Sequence, residues 1–119
     1  LNGDTGEVLW YEPAPKDVCG ARSFCAPGIS QAITVISDKV FAGGMDGVMR
    51  VYEPGSGEVL LKVDTARPFE TISGSKASGG SFSGGSGAIA ANGRVFLSSG
   101  YGIFGHMPGN LLLALEPDK

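Results

Sequence analysis

The chain has 119 residues, a formal net charge of −3, 20 glycines and 7 prolines, with 42% of its residues hydrophobic. That length suits one ordinary domain; the glycines show no period of three, which excludes collagen, and the composition is globular rather than disordered. No run of Lys or Arg exists, which argues against nucleic acid as a partner. The longest wholly apolar run, at residues 111–115, falls far short of the ~20 residues a membrane-spanning helix needs.

In chain order, the first feature is a phrase, Leu1-Asn2-Gly3-Asp4-Thr5-Gly6-Glu7-Val8-Leu9-Trp10. It returns fifty-one residues later as Tyr52-Glu53-Pro54-Gly55-Ser56-Gly57-Glu58-Val59-Leu60-Leu61 and opens a third time at Leu115-Glu116-Pro117-Asp118-Lys119. A repeated phrase means a repeated structural unit. Residues 7–12 are predicted as the last strand of one such unit. Pro13 to Gln31 is a loop rich in Gly and Pro that holds both cysteines, Cys19 and Cys25. Two cysteines so placed suggest a small disulfide loop, and with it a secreted or periplasmic setting. Two reduced thiols are the alternative; two thiolates and one distant His do not make a tetrahedral zinc set.

Residues 32–64 read as one complete unit. Ala32–Ile36 is a β-branched strand, Ser37-Asp38 a turn, Lys39–Ala42 a second strand and Gly43–Gly47 a second turn. Val48–Tyr52 alternates in polarity, Pro54–Gly57 turns the chain, and Glu58–Val63 is the fourth strand. Short strands joined by tight Gly, Asp and Pro turns predict an antiparallel meander. Thr65–Ser86 is dominated by Gly and Ser and is expected to be a long irregular loop; loops of that length are usually functional or disordered. Residues 86–119 repeat the grammar as the first three strands of a further unit: Gly87–Ala91, a turn at Asn92-Gly93, Arg94–Ser98, a glycine-rich excursion, then Asn110–Leu115. No stretch has a helical period. Four-stranded meanders recurring every 40–60 residues predict an all-β fold of β-propeller blades. The expectation is a partial ring of about two to three blades, completed by the remainder of the propeller in the same or another chain.

The repeated phrase resembles the tryptophan-docking motif of quinoprotein propellers: Asp4, Thr5-Gly6 and Trp10 fit it, while the second copy keeps Gly57 and has Leu61 where Trp would stand. Three further stretches make the chain similar to the carboxy-terminal portion of polyvinyl-alcohol-dehydrogenase-like proteins, which use pyrroloquinoline quinone (PQQ). They are Phe41–Tyr52, Asp64–Thr71, and Ser99–Gly102 running on through Gly105 and Pro108-Gly109-Asn110 to Ala114. The cysteine loop resembles that family too. There are departures: Ser78-Gly79-Gly80 stands where the family often has His-Gly-Gly, Ser73 where it has Asn, and Ser83 where it has Asp.

The resemblance implies a PQQ-dependent alcohol dehydrogenase acting on secondary or polymeric alcohols. It further implies PQQ with a divalent cation, Ca²⁺, a periplasmic or secreted location and a cytochrome c as electron acceptor. Such a site needs cationic side chains for the cofactor's carboxylates, for which Arg67 and Lys76 are the candidates. Solvated loop charges are the bland alternative for both. Asp64 and Glu70 are the nearby carboxylates, each a possible cation ligand or plain surface charge. Ser78 and Gly79, in the Gly/Ser stretch, would let backbone approach a flat cofactor; a flexible loop is the alternative. Asn110 is a polar site candidate or a turn-closing Asn. Tyr101 and Phe104 could line a path for an apolar alcohol, and His106, the only histidine, lies in the same excursion. Trp10 reads as structural packing. No catalytic residue is assigned. The competing function is a non-catalytic propeller serving as a binding or scaffold module, because fold alone does not decide function.

Overall fold

The computed structural model describes residues 1–17, 19–84, 86–102 and 105–116. Phe104 and the third phrase's Pro117–Lys119 lie outside them. The described residues are all-β. A four-stranded antiparallel sheet in the order β1-β2-β3-β4 comprises β1 (Thr34–Ile36), β2 (Lys39–Gly43), β3 (Val48–Tyr52) and β4 (Val59–Asp64). A three-stranded antiparallel sheet comprises β7 (Ile89–Ala91), β8 (Arg94–Ser99) and β9 (Leu111–Leu115). Between them in sequence lies a hairpin of β5 (Pro68–Glu70) and β6 (Lys76–Ser78). That hairpin corrects the expectation of an irregular loop over residues 65–86. Two three-residue strands are too short to show a period of two in the sequence.

The turns follow from local chemistry. Ser37 and Asp38 both have positive φ, and so do Asn92 and Gly93. Each pair joins strands in direct register, Ile36 opposite Lys39 and Ala91 opposite Arg94. Two central residues with φ > 0 match the twist of a two-residue hairpin, and Asp, Asn and Gly tolerate that conformation. The first two copies of the repeated phrase also fold alike. In the first, Asn2 N–H donates to Glu7 O and Gly6 N–H to Asn2 O, both at 2.7 Å. In the second, Glu53 N–H donates to Glu58 O and Gly57 N–H to Glu53 O, both at 2.8 Å. Residues 7–12, however, pair with none of the strands among the described residues.

The core lies between the two larger sheets. Phe41, Met49, Val51, Phe82, Ala88 and Leu97 are buried there, flanked by Ile36, Val63, Val95, Leu113 and Leu115. Alternation along β3 sends Met49 and Val51 into this core and Arg50 and Tyr52 to the opposite face. That face is buried too, by the N-terminal segment: the Trp10 ring stacks on Tyr52 with centroids 5.7 Å apart, and its indole N–H donates to Pro54 O at 2.6 Å. Gly57 makes room for it, since a Cβ there would stand 2.6 Å from the indole. Phe82, fully buried, comes from a loop rather than a strand. Its N–H donates to Gly44 O at 3.0 Å, which sets the ring between the sheets. Burial of such a side chain contributes about 2–3 kcal/mol.

Candidate functional site

In a meander, successive connections fall at alternate ends of the sheet. The tight turns at 37–38, 54–57 and 92–93 therefore gather at one end. The segments around 11–33, 44–47, 65–88 and 100–110 gather at the other. Hydrogen bonds tie these longer segments together. Thr65 Oγ1 donates to Gly47 O at 2.6 Å and lies 2.6 Å from Ser99 Oγ. Ser99 Oγ accepts from Gly80 N–H at 2.9 Å and donates to Gly80 O at 2.8 Å. Ser81 Oγ donates to Met45 O and accepts from Met107 N–H at 2.9 Å. Thr65, Ser81 and Ser99 are all buried. Buried hydroxyls with partners hold loops; without partners they would destabilise them.

The candidate residues separate into two groups here. Ser78, Gly79 and Asn110 come together in the closure between the hairpin and β9. Ser78 N–H donates to Asn110 Oδ1 at 3.0 Å, and Asn110 N–H to Ser78 O at 2.8 Å. Gly79 is packed so closely on Thr65 O that a Cβ would overlap it, so glycine answers a need of the chain itself. Arg67 and Lys76 are exposed on the hairpin, ~10 Å apart along it by strand rise. The Arg67 guanidinium lies 3.9 Å over the Phe69 ring, and its Nε donates to Asp64 O at 3.1 Å. The residue is exposed, and its guanidinium is in no ion pair among the described residues. Lys76 sits across from Glu70 in the register and is likewise in no ion pair among the described residues. Asp64 Oδ1 accepts Ala66 N–H at 3.0 Å. No group of three or more His, Cys, Asp or Glu among the described residues is arranged to hold a metal ion.

One feature of this end was not singled out from the sequence. Arg50 and Asp46 form a bidentate ion pair, at 3.3 and 2.8 Å, with both side chains at least nine-tenths buried. Arg50 lines a cleft of about 250 Å³ with Tyr52, Gly44, Gly28, Pro13 and Glu12. Burial pushes the Tyr52 hydroxyl above its usual range; Arg50 opposes this, and Glu12 and Asp46 reinforce it. The legible signal was an Asp in a Gly-rich turn followed four residues later by an Arg at an alternate position of the next strand. A larger apolar groove, of about 480 Å³, opens at the turn end between Phe41, Leu61, Val95 and Leu115. The disulfide joins Cys19 to Cys25 with Cα atoms 5.4 Å apart. It belongs to the loop that reaches the site through Met45 N–H and Gly28 O, at 2.9 Å.

The comparisons with known proteins now bear on this geometry. No family model matches the chain, and no solved structure matches it. A polyvinylalcohol dehydrogenase of Pseudomonas sp is 37% identical over 123 residues, covering 95% of this chain and 19% of that protein. Another, of Sphingopyxis sp. (strain 113P3), is 40% identical over 100 residues, covering 82% of this chain and 15% of that protein. The chain is a relative of the polyvinyl alcohol dehydrogenases. The similarity read from Phe41–Tyr52 and the later stretches is thereby borne out. The chain spans less than a fifth of the length of these relatives, as expected for a portion of a larger protein.

Proposed function

We propose that this chain is part of a PQQ-dependent alcohol dehydrogenase acting on secondary or polymeric alcohols. The observation that carries the reading is the similarity to polyvinyl alcohol dehydrogenases along 95% of the chain. The gathering of the long segments at one end of the sheets supports it, because Arg67 and Lys76 stand there in no ion pair among the described residues. PQQ, when bound, supplies the two-electron acceptor. Arg67 and Lys76 fit such a cofactor in charge: they would hold its carboxylates by charge-assisted hydrogen bonds. Stacking on Phe69 keeps the Arg67 guanidinium plane oriented for that task. The ligands for Ca²⁺ belong, in this reading, to the rest of the longer protein. The disulfide supports an extracytoplasmic location, where a cytochrome c would take the electrons. The domain reading goes with this: residues 1–12 end one blade, 32–64 form a full one, and 86–119 begin the next.

A second reading has its own observation. The Asn110 carboxamide oxygen and the Ser78 backbone are committed to each other, which removes two polar groups from any ligand. That favours a propeller module without catalysis. The intact protein, supplied with PQQ and Ca²⁺, is expected to reduce an artificial electron acceptor when given a secondary alcohol. Arg67→Ala or Lys76→Ala should each raise the PQQ concentration for half-reconstitution about tenfold, since losing a charge-assisted contact costs ~1.4 kcal/mol. Neither cofactor absorbance nor dye reduction would leave the non-catalytic module as the function.

A further inference from the structure

The buried ion pair of Asp46 and Arg50 takes no part in the proposed cofactor contacts, although burying two charges carries a desolvation cost. Both carboxylate oxygens of Asp46 hold one turn, at residues 44–47. Oδ1 accepts Val48 N–H at 3.1 Å and Arg50 Nη1–H at 3.3 Å, and Oδ2 accepts Arg50 Nη2–H at 2.8 Å. The backbone of that turn in turn receives each long segment. Met45 N–H donates to Gly28 O at 2.9 Å, Phe82 N–H to Gly44 O at 3.0 Å and Thr65 N–H to Gly47 O at 2.9 Å. The Thr65 hydroxyl donates to the same Gly47 O. Gly47 itself, at φ +85°, is pressed between the two ends of the β5–β6 hairpin: a Cβ there would stand 2.7 Å from Ala66 Cβ and 2.8 Å from Gly80 O. The hairpin needs such a seat, because an isolated two-stranded hairpin is marginal in water and β5–β6 pairs with neither larger sheet.

We propose that Asp46 and Arg50 are positioning residues for the two cations of the hairpin. The ion pair fixes the 44–47 turn, the turn seats both ends of the hairpin, and the hairpin presents Arg67 and Lys76. Arg67 follows Ala66 directly, and Lys76 leads through Ser78 and Gly79 into Gly80, so each cation lies close in sequence to a residue that packs on Gly47. That the cations face a PQQ carboxylate rests on the dehydrogenase reading; the anchoring of the hairpin does not. The geometry explains why a charged pair stands here. A carboxylate takes the Val48 N–H and a guanidinium fork at once, which holds the turn in one arrangement. Apolar side chains would fill the same space without directing the turn's carbonyls at Thr65 and Phe82. Cations held in place before a ligand arrives lose less freedom on binding it.

The test uses the intact protein and two variants that cut different links. Asp46→Asn with Arg50→Gln puts neutral amides in place of the charges, so no lone charge is left buried. Thr65→Val keeps the side-chain shape and the backbone bond to Gly47 O but removes the hydroxyl's bond. Hydrogen exchange without PQQ, read by mass spectrometry, follows the anchoring. Peptides spanning β5–β6 should exchange at least about tenfold faster in both variants, while those spanning β8 stay within about twofold of the unaltered protein. Equal acceleration in β8 would mean plain loss of stability, and none at the hairpin would mean no seat; either overturns the inference. A PQQ titration followed by cofactor absorbance reads the presentation. Each variant should raise the PQQ concentration for half-binding about fivefold, and should add less than about twofold on an Arg67→Ala/Lys76→Ala background, where the cations it acts through are gone. A full further loss on that background overturns the inference. PQQ bound equally well by the variants and the unaltered protein also overturns it and leaves the dehydrogenase reading standing. No PQQ binding by the unaltered protein, with the hairpin loosened in the variants, sinks that reading and keeps the pair as the hairpin's anchor.

Discussion

The two faces of the four-stranded sheet are closed differently. On one, Trp10 lies on Tyr52 and Gly57 and hydrogen-bonds to Pro54, so one aromatic ring seals the contact between the first phrase and the second. On the other, Leu61 occupies the equivalent place in the repeat, and a groove of about 480 Å³ remains beside it. What holds that second face is a plug from outside the repeat, Phe82, delivered by the glycine- and serine-rich segment. The repeat thus sets where contacts form, while a single residue in each copy decides whether the contact is sealed by the repeat or by a loop.

The largest effect should come from removing the plug. Phe82→Ala is expected to cost ~3–5 kcal/mol, as for a large core ring replaced by a cavity. Urea denaturation of the intact protein checks this; a loss under ~1 kcal/mol would mean the second face does not depend on it. Trp10→Ala should cost less, ~2–3 kcal/mol, because the ring is only partly buried and its stacking and hydrogen bond are lost together. The same denaturation series ranks the two faces directly. Leu61→Trp should sharpen the contrast from the other side. If the groove is the space a docking ring would fill, this change raises stability by ~1 kcal/mol; a loss would show that the groove is shaped for something else.

The smallest effect concerns the proton on Tyr52 beneath Trp10. Burial raises its pKa above the ordinary tyrosine range, with Arg50 opposing and Glu12 and Asp46 reinforcing. A raised folded-state pKa gives stability that is fully present below pH ~10 and is lost as pH climbs through the folded value, because only the unfolded chain deprotonates easily. Stability should therefore decline above pH ~10, and Tyr52→Phe should flatten that decline while leaving the neutral-pH behaviour close to unchanged. Fluorescence-monitored unfolding midpoints between pH 8 and 11 in both proteins give the measurement.

Much of the meander was legible in the residues. Ser37-Asp38 and Asn92-Gly93 announce two-residue hairpins because their backbones accept positive φ, and Val48–Tyr52 shows its alternation plainly. The paired cysteines read correctly as a disulfide. The hairpin at β5 and β6 was not legible, since three residues carry no period. The buried ion pair of Asp46 and Arg50 left only a spacing, an Asp in a Gly-rich turn and an Arg four residues on, and its burial was not legible, because a charge on a strand reads as solvent-facing until something covers that face. For the candidate site, Arg67 and Lys76 could be named as cations, but not that both would stand unpaired at the loop end.

The sequence by itself determined the all-β class, the turn positions and the repeated phrase. These rest on interactions within a few residues: φ preferences, alternation and short-range hydrogen bonds. Only the tertiary structure decided that Phe82 plugs the core, that Asn110 closes onto Ser78, and that Gly47 meets Ala66 and Gly80. Each of those joins segments far apart in the chain. Whether such segments meet depends on how two sheets pack and what space is left between them, and neither is encoded in any local pattern.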